Sequence, residues 1–544
     1  MRAQKTILTI LLVLAILPYA ALSVRAGDGL ANIVDLGADP SGIGDSSAAF
    51  MEAVAQLGGV GTIYMAKGTY KLSEDLTIPQ GIDLQFARGA MIAVDAGKAL
   101  AIGGTIDAGI FQIFSGAGTI TGTPLNEYGF PQWFGAKGDG VTDDTVAFDK
   151  AIKLMAGKTV RLPQRSTGYY LSDLTIDNAV RIQGDAAKTK LVPNPGVTNL
   201  ITINSSNVSI TGIFVDMNTA GPGSSVFVLC AAGSSVIDYR SGLELSEIYV
   251  QRAYCVVKDA GVGGIINSEL NDVVAYLCKD TPYVFQRMLG YNTFRNVTAD
   301  FVGVEIDYPG FVMENTSLGS TVFDALDMLG GVLAGGNTTG GHGFVFTNCK
   351  NLILRRSMVD TNPGDGIQLI SCSDIILDDV AVSLQFGHGI VIEDCYNITA
   401  GLLRVRGRSD ITPYNPMPIP DMDGLKITGS HDVNIDNVMS IANTGRGIVL
   451  DNSSNIMITN AMTWYCKDYG YYENGSGNFI ANLIINQTYG NPIKQMGADS
   501  YIRQLSAVND DSSGEWIWYG GSSWGYEINK TYSGIAGAYE ITGP

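Results

Sequence analysis

The sequence predicts an all-β solenoid: a right-handed, single-stranded parallel β-helix with short amino-terminal capping helices and two tandem opening motifs. Three observations carry that expectation. A ten-position pattern recurs six times, with Gly343, Gly366, Gly389, Gly424, Gly447 and Gly470 spaced by 23, 23, 35, 23 and 23 residues. Only a stacked repeat keeps such a register. Apolar residues one and three places after each glycine, such as Ile367 and Leu369 or Ile390 and Ile392, alternate with the period of a strand and not of a helix. Near the amino terminus, residues 36–54 align without gaps on 134–152 at an offset of 98.

Each coil of such a helix lies about 4.8 Å above the last, so matching positions form columns. Six places after the glycines stand Cys349, Cys372, Cys395, Ser430, Ser453 and Ser476, and eight places after stand Asn351, Asp374, Asn397, Asp432, Asn455 and Asn478. The plus-eight column is expected to point inward and to bond the turn backbone, with Asn455 an inner rung and Asn452 in an outward turn. Ten Asn-x-Ser/Thr sequons occur, and Asn397 is expected to stay unglycosylated because the column buries its amide. Of the seven cysteines, Cys255 and Cys278, then Cys349, Cys372 and Cys395, are 23 residues apart. Free inward thiols packed as small hydrophobes are expected over disulfides, although neighbouring rungs fall within disulfide reach. Looser coils show at 245–248, 270–273, 294–297 and 323–326.

The ends differ in composition from the repeats. Residues 1–26 have a basic start, an apolar core at 7–17 and a small-residue exit, the pattern of a secretory signal peptide. An apolar core of 11 residues is short for a spanning helix, so an uncleaved anchor is the weaker alternative. The expected organisation is then a short β-helix segment at 27–126, a joint at 127–133, the main β-helix at 134–488 and an aromatic, Gly-rich cap at 489–544. That tail carries Trp516, Trp518 and Trp524 and could also serve as a subunit contact or a sugar-stacking surface. The formal net charge of −19 argues against nucleic acid as a partner, and no later apolar stretch is long enough to hold the chain in a membrane after signal cleavage.

In both copies of the duplicated stretch an Asp precedes an amphipathic segment of about ten residues, as an N-cap precedes a helix. Both copies, above all F-G-A-K-G-D-G-V-T-D-D-T-x-A-F at 134–148, resemble the opening motif of the pectate-lyase superfamily, the rhamnogalacturonase and epimerase-like group that includes many phage tailspikes. The resemblance is strong over 134–180 and recognisable over 31–80. It implies a loop and helix that close the amino-terminal end of a β-helix, where apolar core and strand edges would otherwise be exposed.

The residues just before the six glycines are His342, Asp365, His388, Asp423, Arg446 and Tyr469, all polar or ionisable. In register they form one outer column, and the 12 extra residues of the long interval, around 408–420, would overhang it as a loop. Gly-Asp-Gly and Gly-His-Gly are also ordinary turn sequences, but two of the three histidines share this column, and titratable groups converging beside a loop mark a site. The column resembles the polygalacturonase-type active site: His388 matches its histidine, Asp365 the second Asp of its pair, and Lys426 stands where its Arg would be. The sequence departs from that pattern at Gly364, which replaces the proton-donating Asp, at His342, which replaces a lone Asp, and at Thr428, which replaces a Lys.

The expected catalytic core is Asp365, His388 and Asp423, the last about two coils, or about 9.6 Å, from the first, near the upper separation used by inverting glycosidases. Expected substrate contacts are His342, Asp421, Lys426, Arg446 and the strand residues Arg404, Arg406 and Arg408, which could bind a uronate carboxylate or serve as the base of an elimination. No metal-ligand spacing stands out, so no cofactor is expected, and Ca2+ would have no recognisable site. The functional expectation is a secreted or cell-surface polysaccharide-processing protein, a glycoside hydrolase or polysaccharide lyase acting on a uronate-containing or other complex glycan. The alternative is a non-catalytic, glycan-binding or structural β-helix protein.

Overall fold

The computed structural model describes residues 29–229, 239–260, 264–302, 305–316, 319–330, 332–333, 341–407, 422–486, 488, 493–495 and 499–508. The expected signal peptide, Arg408, Asp421, the loop at 408–420 and the Trp-rich tail lie outside the described residues. The chain divides into two compact units: residues up to Lys137 with Val146–Arg161, and Gly138–Thr145 with the chain from Leu162 onward.

In the first unit three parallel sheets form the walls of a short β-helix. One stacks Leu30–Asn32, Gly61–Met65, Ile82–Phe86 and Ile106–Asp107; a second stacks Ser41–Asp45, Gly68–Leu72, Ala90–Val94 and Phe114–Ser115; a third stacks Leu76–Ile78, Ala99–Ile102 and Thr119–Gly122. Strict alternation in Ile82–Phe86 and Ala90–Val94 buries every second residue, the period-two signature of a strand with one face in a core. The helix Ser47–Leu57 buries Ala49, Phe50 and Ala53 and ends at Gly58, whose φ of 59° is left-handed, the usual helix stop. Asp45 accepts the Ser47 backbone N–H at 3.0 Å and that of Ser73 at 3.1 Å. The second copy repeats the arrangement, with Asp143 accepting the Thr145 N–H at 2.9 Å and the Ser172 hydroxyl at 2.7 Å. Duplication of the motif is thus duplication of a hydrogen-bonded corner.

In the second unit each coil of the regular region has two strands, one short and one long. The short strands Phe344–Thr347, Ile367–Ile370, Ile390–Glu393 and Leu425–Thr428 pair in parallel, Phe344 on Ile367, Ile367 on Ile390 and Ile390 on Leu425. The long strands Lys350–Asp360, Ser373–Ser383, Tyr396–Arg406 and His431–Ile441 stack beside them. Pairing of Tyr396–Arg406 on His431–Ile441 holds through to Arg406 with Ile441, so the long interval leaves the register intact and its extra residues follow Arg406. The looser sequences at 245–248, 270–273, 294–297 and 323–326 lie in the long-strand stack. The apolar pairs one and three places after the glycines are buried throughout.

Close approach explains the repeated glycine. A Cβ on Gly366 would stand 2.6 Å from the Gly389 carbonyl oxygen, and one on Gly447 would stand 2.5 Å from that of Gly470, so a side chain would push adjacent coils apart. The plus-six column faces inward: Cys349, Cys372, Cys395, Ser430 and Ser453 are all buried, and Ser453 Oγ donates toward the Asp451 and Ile427 carbonyls at 2.9 and 3.2 Å. All six described cysteines are free and buried.

The plus-eight column corrects the sequence expectation. Asp374, Asn397, Asp432 and Asn455 are exposed, and each has a left-handed φ, 59°, 55°, 56° and 54° respectively. Asn and Asp recur there because they tolerate that conformation, at a corner that turns left-handed again three residues earlier, as at Asn452 with φ 48°. Asn397 Nδ2 reaches Asp374 Oδ1 along the outside at 2.5 Å, so burial gives Asn397 no reason to stay unmodified. Only Asn478 fills the expected inward role: it is buried, accepts the Ile456 N–H at 3.0 Å and donates to Glu473 Oε1 at 2.8 Å.

Candidate active site

The column before the glycines sits in the turn that joins each long strand to the next short one. There the structure brings His342, Asp365, His388, Asp423 and Arg446 together through one repeated bond. The Asp365 backbone N–H donates to His342 Nδ1 at 3.1 Å, the His388 N–H to Asp365 Oδ1 at 2.6 Å, the Asp423 N–H to His388 Nδ1 at 2.9 Å, and the Arg446 N–H to Asp423 Oδ1 at 3.0 Å. Each side chain therefore satisfies a backbone donor of the coil above, which a tight turn would leave unpaired. An acceptor is needed at each rung but the last, and Asp and His supply it.

This arrangement fixes the imidazole chemistry. A ring nitrogen that accepts an N–H carries no proton, so neutral His342 and His388 bear their proton on Nε2. Burial pushes the His388 pKa down, against the raising influence of Asp365 and Asp423. His388 is therefore a neutral donor through Nε2–H, and as a base it would first have to give up its tautomer.

The two carboxylates have different surroundings. Asp365 keeps 16% of its side chain exposed, and its Oδ2 accepts Gln368 Nε2 at 2.7 Å. Asp423 has no exposure; Arg446 grips it with Nε at 2.9 Å and Nη2 at 2.8 Å. Asp423, expected in the catalytic core, is thus placed to hold Arg446 and the His388 ring and not to meet a substrate. Burial pulls the Arg446 pKa down, but the bonds and charge of Asp423 outweigh it and hold it above its ordinary value.

Gly364 has a structural reason as well. A Cβ there would stand 2.8 Å from His342 Nδ1, so the carboxylate of the resembled pattern has no room beside the histidine this chain uses. Asn362 braces the same turn from inside, donating to the Gly341, Gly364 and Asp365 carbonyls at 3.1, 2.8 and 2.7 Å.

Beside the turn column runs the outward column of the short strands, in which Gln368, Val391, Lys426, Val449, Tyr472 and Lys494 stand in register. Lys426 is half-buried there and is close enough to depress the His388 pKa further. Sequence reasoning missed Gln368, Tyr472 and Lys494, although each stands two places after a column glycine or in register with one that does. Arg404 and Arg406 are not brought to this line: they lie near the end of a long strand, in register with Met439 and Ile441 respectively, and Arg404 pairs with Asp379. His431, the third histidine, opens the long strand His431–Ile441, stacked on Tyr396 and 2.8 Å from Asp432. Among the described residues no group of three or more His, Cys, Asp or Glu could hold a metal ion, and no helix is long and apolar enough to cross a membrane.

The stacked parallel sheets define a parallel β-helix protein. Residues 30–100, the first of the two copies, match the family described as rhamnogalacturonase A/epimerase, pectate lyase-like. Over 58 residues, 11% of this chain, the sequence is 48% identical to Depolymerase 1, capsule K30/K69-specific, of Klebsiella phage K5-2, and the matched stretch spans 7% of that relative. Among solved structures, the A-module of the Azotobacter vinelandii mannuronan C-5 epimerase AlgE4 is 18% identical, with 69% of this chain and 99% of that one covered at a TM-score of 0.43. Bacteriophage CBA120 tailspike protein 3 is 12% identical, with coverages of 77% and 63% and a TM-score of 0.42.

Proposed function

We propose that this protein is an exported polysaccharide-processing protein that lays a glycan along the turn column from His342 to Arg446. The observation that carries this reading is the unbroken run of partly exposed His342, Asp365 and His388 beside Gln368 and Lys426. The matched segment of a capsule depolymerase supports a glycan as the ligand. In this reading His388 Nε2–H donates to a glycan oxygen, Asp365 is the carboxylate nearest the ligand, and buried Asp423 with Arg446 keeps the His388 ring in place. Hydrolysis and elimination are both within the reach of such a donor and carboxylate. A panel of plant, capsular and microbial polysaccharides, read by new reducing ends and by absorbance of unsaturated products, tests it. Turnover that Asp365→Asn abolishes supports the assignment; turnover that the variant leaves unchanged removes it.

A second reading, binding without turnover, is favoured by one observation: both Asp365 oxygens and both Nδ1 atoms are already engaged in hydrogen bonds. Saturable glycan binding with no product from any panel member would select it.

A further inference from the structure

Beyond Arg446 the turn column and the short-strand column beside it supply aromatics and a cation, Tyr469 from the first and Tyr472 and Lys494 from the second. The Tyr469 and Tyr472 ring centroids are 6.0 Å apart, and Lys494 Nζ lies 5.7 Å from the first and 5.5 Å from the second. These three side chains form a nearly equilateral triangle toward the carboxyl-terminal end of the turn and short-strand columns. The Arg446 guanidinium lies over the Tyr472 ring, 4.7 Å from its centroid.

The charges in this cluster are unequally satisfied. Arg446 is neutralised by its two-point pairing with Asp423, with Asp468 nearby adding to the same effect. Lys494 is half-buried against the rings and makes no ion pair among the described residues. An ammonium held against two aromatic rings gains from their negative faces but leaves its N–H donors without a counter-ion. The two phenol hydroxyls can donate as well. A chain with 53 acidic and 34 basic side chains has ample carboxylates to pair with, yet this lysine, in the same column as Gln368 and Lys426, pairs with none among the described residues.

We propose that Lys494, Tyr469 and Tyr472 form an anion subsite that receives a negatively charged substituent, a carboxylate, of a glycan lying along the turn column. The proposal rests on the glycan reading of the turn column and adds to it the end at which charge is read. The subsite stands two to three coils, about 10 to 14 Å, beyond the His388–Asp423 rung, so it selects a sugar unit remote from the one at Asp365. Remote contacts of this kind supply binding energy and register to the reacting unit.

The test uses the full chain with its lysines reductively 13C-dimethylated, titrated with galacturonate, with galactose, and with sodium chloride at matched ionic strength. Galacturonate should shift the Lys494 methyl resonance saturably, while galactose and salt leave it in place. Exposed Lys153, already paired with Asp149, should follow ionic strength alone. Replacing both tyrosines, Tyr469→Phe with Tyr472→Phe, should weaken the galacturonate response by roughly fivefold, the worth of about one good charge-assisted contact. A Lys494 resonance that galacturonate does not move, or that galactose moves equally, overturns the subsite. Polysaccharide turnover with a silent Lys494 would leave the glycan reading standing without it, and a responsive Lys494 in a protein that engages no polysaccharide would do the reverse.

Discussion

The imidazole Nδ1 of His388 accepts the backbone N–H of Asp423 at 2.9 Å, across 35 residues of sequence. Protonating that nitrogen would set one N–H against another, and it is this bond that couples the column to pH. Burial lowers the folded-state pKa of His388, so the unfolded chain binds this proton more readily. The stabilising contribution is therefore fully present above the unfolded value of about 6.5 and is lost progressively as pH falls from there through the lowered folded-state pKa. Between pH 7 and 5.5 the melting temperature of the natural protein should fall more steeply than that of His388→Asn, whose amide oxygen can accept without titrating. Parallel curves for the two proteins would show that the bond does not govern this window.

Asp423→Asn should be far more damaging to stability than Asp365→Asn. The first leaves half-buried Arg446 against a neutral amide, and breaking one half of a fully buried ion pair costs about 3 to 5 kcal/mol, so a loss of about 2 to 3 kcal/mol is expected here. The second keeps an acceptor for the His388 N–H in a partly exposed place and should cost on the order of 1 kcal/mol. Denaturant midpoints separate the two, and the difference makes Asp365→Asn the usable probe of activity.

The corner column separates backbone conformation from buried bonding. Asn455 is exposed with a φ of 54°, so Asn455→Gly should change stability within about 0.5 kcal/mol, while Asn455→Val should cost at least about 1 to 2 kcal/mol. Ser453→Val should cost about 1 to 3 kcal/mol for a different reason, because it strands the Ser430 N–H and two carbonyls inside the helix. Thermal unfolding of the three variants checks the order, and an Asn455→Gly variant as unstable as Ser453→Val would return that asparagine to an inward role.

The coil register was legible because the same ten-position pattern resumes in every coil, at a 23-residue spacing apart from the one 35-residue interval. The turn column was legible too, since the glycine after each rung marks its place. Why those rungs are Asp and His was not: acceptance of the next coil's N–H is a relation between coils, and Gly-His-Gly reads the same whether its ring faces solvent or the backbone above. Asp423 is paired with Arg446, its neighbour only after stacking. Asn and Asp at plus eight were misread because two physical demands, an inward amide and a left-handed corner, select the same residues. Asn478 meets the first demand, and Asn397 and Asn455 meet the second.

Gly364 gives a further check on the site. Because its missing Cβ would meet His342 Nδ1, Gly364→Asp alone should be destabilised by about 1 to 3 kcal/mol, as overpacked sites are. Pairing it with His342→Ala, which vacates the space, should recover part of that loss. Additive losses in the double variant, measured by thermal unfolding, would mean that the contact does not limit this position.

The account turns on the glycan lying along the turn column and not across the long strands. Hydrogen–deuterium exchange of the full chain, with and without an oligosaccharide that it binds or cleaves, tests this most directly. The account predicts added protection at the amides of Asp365, His388, Asp423 and Arg446 and along Ile367–Ile370, Ile390–Glu393 and Leu425–Thr428. Protection confined to Tyr396–Arg406 and His431–Ile441, with the turn amides unchanged, would contradict it.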